Sequence, residues 1–161
     1  MEIFTFSFRQ TLKLGRDLSS LLKPGDILCL FGPLGAGKTV LAKGVALGLG
    51  VPAHKVNSPA FVLIREYKGK IPLYHMDLYR LNNYLDIFSI GYEEYLYAEG
   101  ITVIEWAQRL GYLLPKNYLR VDFKIVDKNV RRLKFSAEGD NYTFVLNKLK
   151  KYENIRNRHH H

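Results

Sequence analysis

The sequence predicts one α/β domain whose central sheet mixes parallel and antiparallel strands and is flanked by helices. Two apolar runs, "ILCLF" at 27–31 and "ITVIEW" at 101–106, are typical of strands buried on both faces of a parallel sheet. Alternating apolar and polar residues around 127–129 predict an antiparallel hairpin. Because segments with helical periodicity lie between these strands, we expect one layered domain.

The chain has 161 residues, which is enough for one domain with its own hydrophobic core. We expect this domain to cover residues 1–155. The tail, 156–161, ends in three histidines and resembles the remainder of an expression tag.

The first elements follow from local signals. Ser7 and Gln10 have capping-box spacing, so a helix is expected to begin there and to end before Pro24. The strand at 27–31 comes next, and a second helix is expected from Lys38 to a stop at Gly50.

The later elements alternate between strands and helices. The sequence predicts two strands around a turn at 68–70, one or two short helices within 82–100, and the strand at 101–106. A weak helix at 107–114, the hairpin at 119–139 and a final helix within 141–152 complete the prediction.

Composition limits the possible environments of the chain. Lys and Arg number 24 against 15 Asp and Glu, a net charge of +9 that suits a polyanionic partner such as RNA, an acidic protein surface or a nucleotide. One cysteine, Cys29, excludes a disulfide within the chain. The sequence contains no signal-peptide pattern and no apolar run of membrane-spanning length, so we expect a cytoplasmic protein without membrane contact.

The segment "GPLGAGKT", Gly32 to Thr39, fits the phosphate-binding pattern G-x-x-x-x-G-K-[ST] at every fixed position. A predicted strand precedes the segment and a predicted helix follows it, which is the order that lets backbone N–H groups converge on phosphates. Lys38 can reach the β- and γ-phosphates, and the hydroxyl of Thr39 can ligate Mg²⁺. The sequence therefore predicts a single P-loop NTPase domain that binds a nucleoside triphosphate.

Acidic residues at the ends of other strands are candidates for the metal site and for catalysis. Glu105 ends a buried strand, where P-loop proteins usually carry a carboxylate for Mg²⁺. Asp77 also ends an apolar stretch and could orient water or sense the γ-phosphate, although a helix N-cap is the competing interpretation. His75 lies two residues earlier, and a lone histidine is more often structural than catalytic.

The choice of base is inferred by elimination. Guanine recognition in GTPases uses N-K-x-D, whereas the Asn147–Lys150 segment carries lysine where the aspartate should stand. ATP is therefore the expected nucleotide.

Four segments, "GPLGAGKT", "NSPAF", "YHMDLYRL" and "VIEWAQRL", occur in an order and spacing that resemble the bacterial TsaE family. That family is the small P-loop ATPase of tRNA N6-threonylcarbamoyladenosine biosynthesis, and the resemblance spans 7–136. It implies a protein that hydrolyses ATP slowly alone and works with the TsaD–TsaB complex, which modifies the adenosine after the anticodon. It also implies that ATP hydrolysis resets the TsaD–TsaB complex between turnovers, and that the protein contacts tRNA indirectly, through this complex.

The resemblance also assigns roles to residues at matching positions. Thr39 and Glu105 would ligate Mg²⁺. Together with the roles inferred above from the residues, Lys38, Asp77 and Glu105 are the expected catalytic residues. The remaining nucleotide contacts would come from Thr11, Gly35, Ala36, Gly37, Lys38, Thr39, Val40, Trp106 and Arg131.

Two segments would resemble the switch regions of P-loop proteins: 57–61 as switch I and 75–80 as switch II. The family usually has threonine where this chain has Ala60, which removes a hydroxyl from switch I. Pro33 also departs from the usual aspartate, at a position that supplies no required phosphate ligand.

Two other functions remain open on the residues alone. A small-molecule P-loop kinase would need an arginine-bearing lid; the segment 107–120 offers Arg109 and Arg120 but no obvious lid. A non-enzymatic, nucleotide-gated RNA-binding module would suit the positive charge and the eleven tyrosines. The residues leave the oligomeric state undetermined.

Overall fold

The computed structural model describes residues 1–56, 63–96 and 98–153, which form a sheet with helices on both faces. The strands of the described residues are β1 (Glu2–Thr5), β2 (Ile27–Phe31), β3 (Ile64–Tyr67), β4 (Leu73–Asp77), β5 (Ile101–Glu105), β6 (Tyr118–Ile125) and β7 (Arg131–Glu138). The α-helices are α1 (Phe8–Ser19), α2 (Lys38–Gly48), α3 (Tyr84–Ser89), α4 (Tyr92–Leu96) and α5 (Thr143–Leu149), and two 3₁₀ helices cover Ala53–Lys55 and Ala107–Leu113.

The sheet has the order β1-β7-β6-β2-β5-β4-β3. Its centre is parallel, since β2 pairs in parallel with β5 and β6, and β5 pairs in parallel with β4. Both margins are antiparallel, which confirms the predicted mixed sheet. Because β2, β4 and β5 run in the same direction, the loop after β2 and the acids that end β4 and β5 meet at one edge.

The two faces of the sheet bury different side chains. Leu28 and Leu30 of β2 pack in a core that includes residues of α1, α2 and α5, whereas Cys29 packs in a second core with residues of α3 and α4. Because helices cover both faces of β2, all of its residues are apolar and form a continuous run in the sequence.

Helices α1 and α2 approach so closely that only glycine fits between them. A Cβ added to Gly44 would lie 2.2 Å from the carbonyl oxygen of Leu12, and one added to Gly15 would lie 2.4 Å from that of Leu41. This contact holds the N-terminal part of α1 beside the start of α2, and so places Thr11 near the loop that follows β2.

The structure confirms the predicted start of α1. Gln10 N donates to Ser7 Oγ over 3.1 Å, and Gln10 Oε1 accepts from Phe6 N over 2.8 Å. The segment 82–100 contains two short helices, α3 and α4. The other predicted strands, the hairpin and the final helix are also confirmed.

Two features differ from the sequence-based expectations. Strand β1 was not expected, because it has four residues and depends on antiparallel pairing with the distant β7. The weak helix expected at 107–114 is a 3₁₀ helix, and Gly111 interrupts it with a φ of 52°. The segment 57–61, including Ala60, and the domain boundary at 155 lie outside the described residues. Within those residues, no helix is long and apolar enough to cross a membrane.

Candidate nucleotide-binding site

The loop between β2 and α2 forms a cradle of backbone groups. Gly35 and Gly37 have φ values of 78° and 102°, a region that side chains with a Cβ rarely adopt. A Cβ added to Gly35 would meet no atom within 4 Å, so it would enter open space next to the loop. Helix α2 begins directly afterwards at Lys38, and its free N–H groups carry partial positive charge.

A cavity of about 400 Å³ lies against this loop. The loop and the first turn of α2 form one wall, and the ends of β4 and β5 form another. Its lining comprises Leu34, Gly35, Ala36, Gly37, Lys38, Thr39, Val40, Leu63, Asp77, Tyr79, Arg80, Glu105 and Trp106.

Lys38 is a buried cation held at the mouth of the loop. Its Nζ donates to the carbonyl oxygens of Gly32 and Pro33 over 2.6 and 2.7 Å, and the side chain is part of a residue only 4% exposed. Burial lowers the pKa of Lys38, while the charges of Glu105 and Asp77 act in the opposite direction. The Lys38 ammonium can therefore exchange its hydrogen bonds to these two carbonyl oxygens for hydrogen bonds to an anion, which is a stronger acceptor.

Glu105 is the centre of a buried hydrogen-bond network. Thr39 Oγ1 donates to Glu105 Oε1 over 2.6 Å, and His75 Nε2 lies 2.6 Å from Glu105 Oε2. Glu105 is 2% exposed. Both carboxylate oxygens thus have a fixed partner, one on α2 and one on β4.

Asp77 ends β4 directly opposite Glu105 in the parallel register. Its Oδ1 accepts from Tyr79 N over 3.0 Å. Partial burial raises the pKa of Asp77, and the neighbouring Glu105 acts in the same direction. The carboxylate faces the cavity from the wall opposite the loop.

Trp106 closes this side of the cavity. Its backbone has a φ of 57°, which is rare for a bulky residue and often marks a functional site. The indole lies with its ring centroid 4.3 Å from Lys38 Nζ and 4.8 Å from that of Tyr79. The ring therefore links the buried lysine to the segment that follows β4.

A second cavity of about 230 Å³ lies on the other side of the loop and contains Thr11 and Arg131. Thr11 Oγ1 and Thr5 Oγ1 are 2.7 Å apart, and Arg131 Nη2 donates to the carbonyl oxygen of Gly35 over 3.2 Å. The structure thus brings both predicted residues to the loop, but on the side away from Glu105.

Some lining residues were not singled out from the sequence. Tyr79 and Arg80 were covered only as part of the segment 75–80, and Ser7, Lys128 and Asn129 of the second cavity had no functional signal. The strand period of two predicts that His75 shares the face of Asp77, although a lone histidine there is more often structural than catalytic. No local sequence pattern indicates the second cavity, because α1 and the turn between β6 and β7 come together only in the folded chain.

The arrangement of oxygen donors fits Mg²⁺ bound together with phosphate. Within the described residues, no group of three or more His, Cys, Asp or Glu side chains could hold a metal ion. Thr39 and Glu105 offer a hydroxyl and a carboxylate at one point, and Mg²⁺ in nucleotide sites commonly takes one or two such ligands plus phosphate oxygens and water.

The chain is similar to known proteins over most of its length. Residues 5–133 match the family model described as threonylcarbamoyl adenosine biosynthesis protein TsaE. A tRNA threonylcarbamoyladenosine biosynthesis protein TsaE from Bacillus subtilis is 38% identical over 154 residues, covering 95% of this chain and 96% of the relative. The protein of the same name from Treponema pallidum is 38% identical over 133 residues, covering 83% and 98%.

The fold is also similar to a solved structure. The crystal structure of Bacillus subtilis YdiB superposes with a TM-score of 0.78 at 34% identity, and the match covers 96% of each chain. The family model matches most of the chain, and the relatives exceed 30% identity over most of its length. The chain therefore belongs to the TsaE family of threonylcarbamoyl adenosine biosynthesis proteins.

Proposed function

We propose that the protein binds Mg²⁺–ATP and hydrolyses it as a component of the machinery that makes tRNA threonylcarbamoyladenosine. The observation that carries the proposal is the hydrogen bond between Thr39 and Glu105 beside the buried Lys38. These three side chains supply a hydroxyl, a carboxylate and a cation at the mouth of one phosphate-binding loop, which is the set of groups that phosphoryl transfer requires.

Each group has a role in holding the triphosphate. The N–H groups of the loop and the first turn of α2, Gly35 to Val40, bind phosphate oxygens. Lys38 leaves the carbonyls of Gly32 and Pro33 and donates to the β- and γ-phosphates. Thr39 and Glu105 would hold Mg²⁺, which would supply positive charge to stabilise the phosphates.

Asp77 is proposed to orient the attacking water. Its carboxylate borders the cavity across from the loop and is fixed at the strand end by the N–H of Tyr79. A fixed acceptor in this position can hold a water molecule in line with the γ-phosphate.

The base end of the nucleotide is assigned to the second cavity. Thr11 and Arg131 line it, and Arg131 also contacts the carbonyl of Gly35, so the loop separates the base end from the metal end. Trp106 borders the phosphate end. The lysine in place of the guanine-reading aspartate supports ATP rather than GTP.

The relatives are named for tRNA threonylcarbamoyladenosine biosynthesis, and their coverage of this chain supports the same pathway here. We propose TsaD and TsaB homologues in the cytoplasm as partners, with tRNA reached through their complex. Hydrolysis is proposed to reset this complex. The segment 75–80 suits such coupling, because Asp77 borders the cavity while Tyr79 is 43% exposed.

The test measures ATP hydrolysis by the purified chain, with and without the TsaD–TsaB pair of the same organism. We expect slow hydrolysis alone and faster hydrolysis with the pair. Asp77→Ala should lower the partner-stimulated rate at least tenfold while ATP affinity changes less. Asp140→Ala, an exposed control two residues after β7, should behave like the wild type.

Hydrolysis that the TsaD–TsaB pair leaves unchanged would contradict the coupling. Transfer of the γ-phosphate to a small-molecule acceptor instead of water would contradict the ATPase and support the kinase. Tight tRNA binding by the isolated chain without hydrolysis would instead support the RNA-binding module, and its salt dependence would measure the phosphate contacts.

A further inference from the structure

His75 is a buried polar residue to which the proposed function assigns no role. It is 2% exposed, and its Nε2 lies 2.6 Å from Oε2 of Glu105. The opposite oxygen of the same carboxylate accepts from Thr39. The imidazole therefore contacts the carboxylate oxygen that does not face α2.

The direction of this hydrogen bond follows from the chemistry of the acceptor. A carboxylate that ligates Mg²⁺ is deprotonated and has no proton to donate, so in the proposed site the imidazole donates through Nε2. A hydrogen bond to a charged acceptor is roughly twice as strong as one between neutral groups. A hydrogen bond of this kind can hold the Glu105 side chain in one orientation.

The sheet fixes where the imidazole can lie. His75 pairs with Val103 in the parallel register of β4 and β5, and Asp77 pairs with Glu105. His75 thus lies two register positions from the Asp77–Glu105 pair, and the intervening pair is Met76 and Ile104. Since β4 is hydrogen-bonded on both sides, by β3 and β5, the ring has little freedom to move away.

Glu105 needs such a contact because its carboxylate is buried and can rotate. Without a donor at Oε2, this oxygen would be left unpaired in the interior or would turn toward Thr39, and a buried acceptor without a partner is costly. Residues that hold metal ligands commonly affect metal affinity or activity by about 10- to 100-fold.

We propose that His75 is a positioning residue that directs Oε1 of Glu105 toward Thr39 and the metal. This inference rests on the proposed function, since it assumes that Mg²⁺ binds at Thr39 and Glu105. A simple packing role for His75 makes a different prediction: substitutions would then change stability without a selective effect on metal binding.

Two amide variants separate the two roles. His75→Gln keeps an N–H donor near the position of Nε2, whereas His75→Asn is shorter and places its amide near the position of Nδ1. Both replacements are uncharged and polar. Thermal unfolding and circular dichroism report the stability of each variant.

The test measures metal binding directly, with Mn²⁺ as the probe and free Mn²⁺ followed by electron paramagnetic resonance in the presence of ADP. We expect His75→Asn to weaken Mn²⁺ binding about 10- to 100-fold and His75→Gln to stay within about threefold of the wild type. Binding of ADP in EDTA should be equal in all three proteins, because the loop contacts do not involve His75.

Equal Mn²⁺ affinity in His75→Asn and the wild type would overturn the inference and leave the proposed function intact. Equal weakening in His75→Gln and His75→Asn would also overturn it, because the donor would not matter. A wild-type protein that binds ADP but no Mn²⁺ would overturn both the inference and the proposed metal site.

A measurement on the wild type avoids dependence on variant folding. The ¹⁵N–¹H signal of His75 Nε2 should be protected from solvent and should shift when Mg²⁺ is added to the ADP complex, because the metal withdraws charge from the acceptor. A protected signal that Mg²⁺ leaves unchanged, or a ring without a proton on Nε2, would overturn the inference.

Discussion

Thr39 Oγ1 donates a hydrogen bond of 2.6 Å to Oε1 of Glu105, which joins the first turn of α2 to the C-terminal end of β5. The two residues are far apart in sequence, and packing of α2 on the sheet brings them together. The two oxygen ligands proposed for Mg²⁺ are therefore already side by side in the folded chain. Such preorganisation lowers the entropic cost of binding the ion.

Replacing Glu105 by glutamine should separate nucleotide binding from hydrolysis. The amide keeps the shape of the carboxylate but loses its charge, so we expect ATP affinity within about tenfold of the wild type and hydrolysis lowered about 100-fold or more. Steady-state assays over a range of Mg²⁺ concentrations measure both effects. Glu66→Gln, on the exposed part of β3, is the matched control; a wild-type rate in Glu105→Gln would exclude Glu105 as the metal carboxylate.

Replacing Lys38 by alanine should nearly abolish ATP binding or turnover. The buried ammonium meets the phosphates where little water competes, and loss of one such group commonly costs about 100- to 1,000-fold. Calorimetric titration and a hydrolysis assay measure the change. Lys43→Ala, on the same helix, should behave like the wild type, and unchanged binding in a folded Lys38→Ala protein would contradict the assignment of the loop.

Gly44→Ala should destabilise the fold even though alanine is the better helix former. The new methyl group would lie 2.2 Å from the carbonyl oxygen of Leu12, so α1 must move away at a cost of about 1–3 kcal/mol. Chemical denaturation measures this loss, and Lys43→Ala should stay within about 0.5 kcal/mol of the wild type. A more stable Gly44→Ala protein would show that helix propensity outweighs the close contact.

Ionisation of Tyr142 should lower the free energy of unfolding as the pH rises from about 10 to about 12. Burial raises the pKa of Tyr142 from 10.0 to about 12, although its hydrogen bond from Ile27 N opposes this. The unfolded chain therefore loses the phenolic proton first, and the free energy of unfolding falls across this range.

Tyr142→Phe tests this dependence. Below pH 10 the variant should be about 1–3 kcal/mol less stable, because Ile27 N loses its buried acceptor, and the difference should shrink toward pH 12. Denaturation curves at several pH values measure it. Tyr112→Phe, at a position 74% exposed, should follow the wild type, and parallel curves for Tyr142→Phe and the wild type would contradict the assignment.

Most elements of the fold could be predicted from the sequence because their signals are local. Ser7 and Gln10 bracket the start of α1, and the apolar run of β2 requires burial on both faces. The unexpected features depend on distant partners or on one backbone angle: β1 exists because β7 pairs with it, and Gly111 interrupts the helix expected after Trp106.

The sequence by itself predicted the loop between β2 and α2 and its proposed phosphate-binding role, because Gly35, Gly37, Lys38 and Thr39 lie within five consecutive residues and their spacing alone indicates the backbone cradle. Only the tertiary structure decided what surrounds it. The β4–β5 register brings His75 to Glu105 across 30 residues, and the hairpin brings Arg131 to Gly35 across 96. Such contacts depend on strand register and helix packing, which the whole core determines and no short segment encodes.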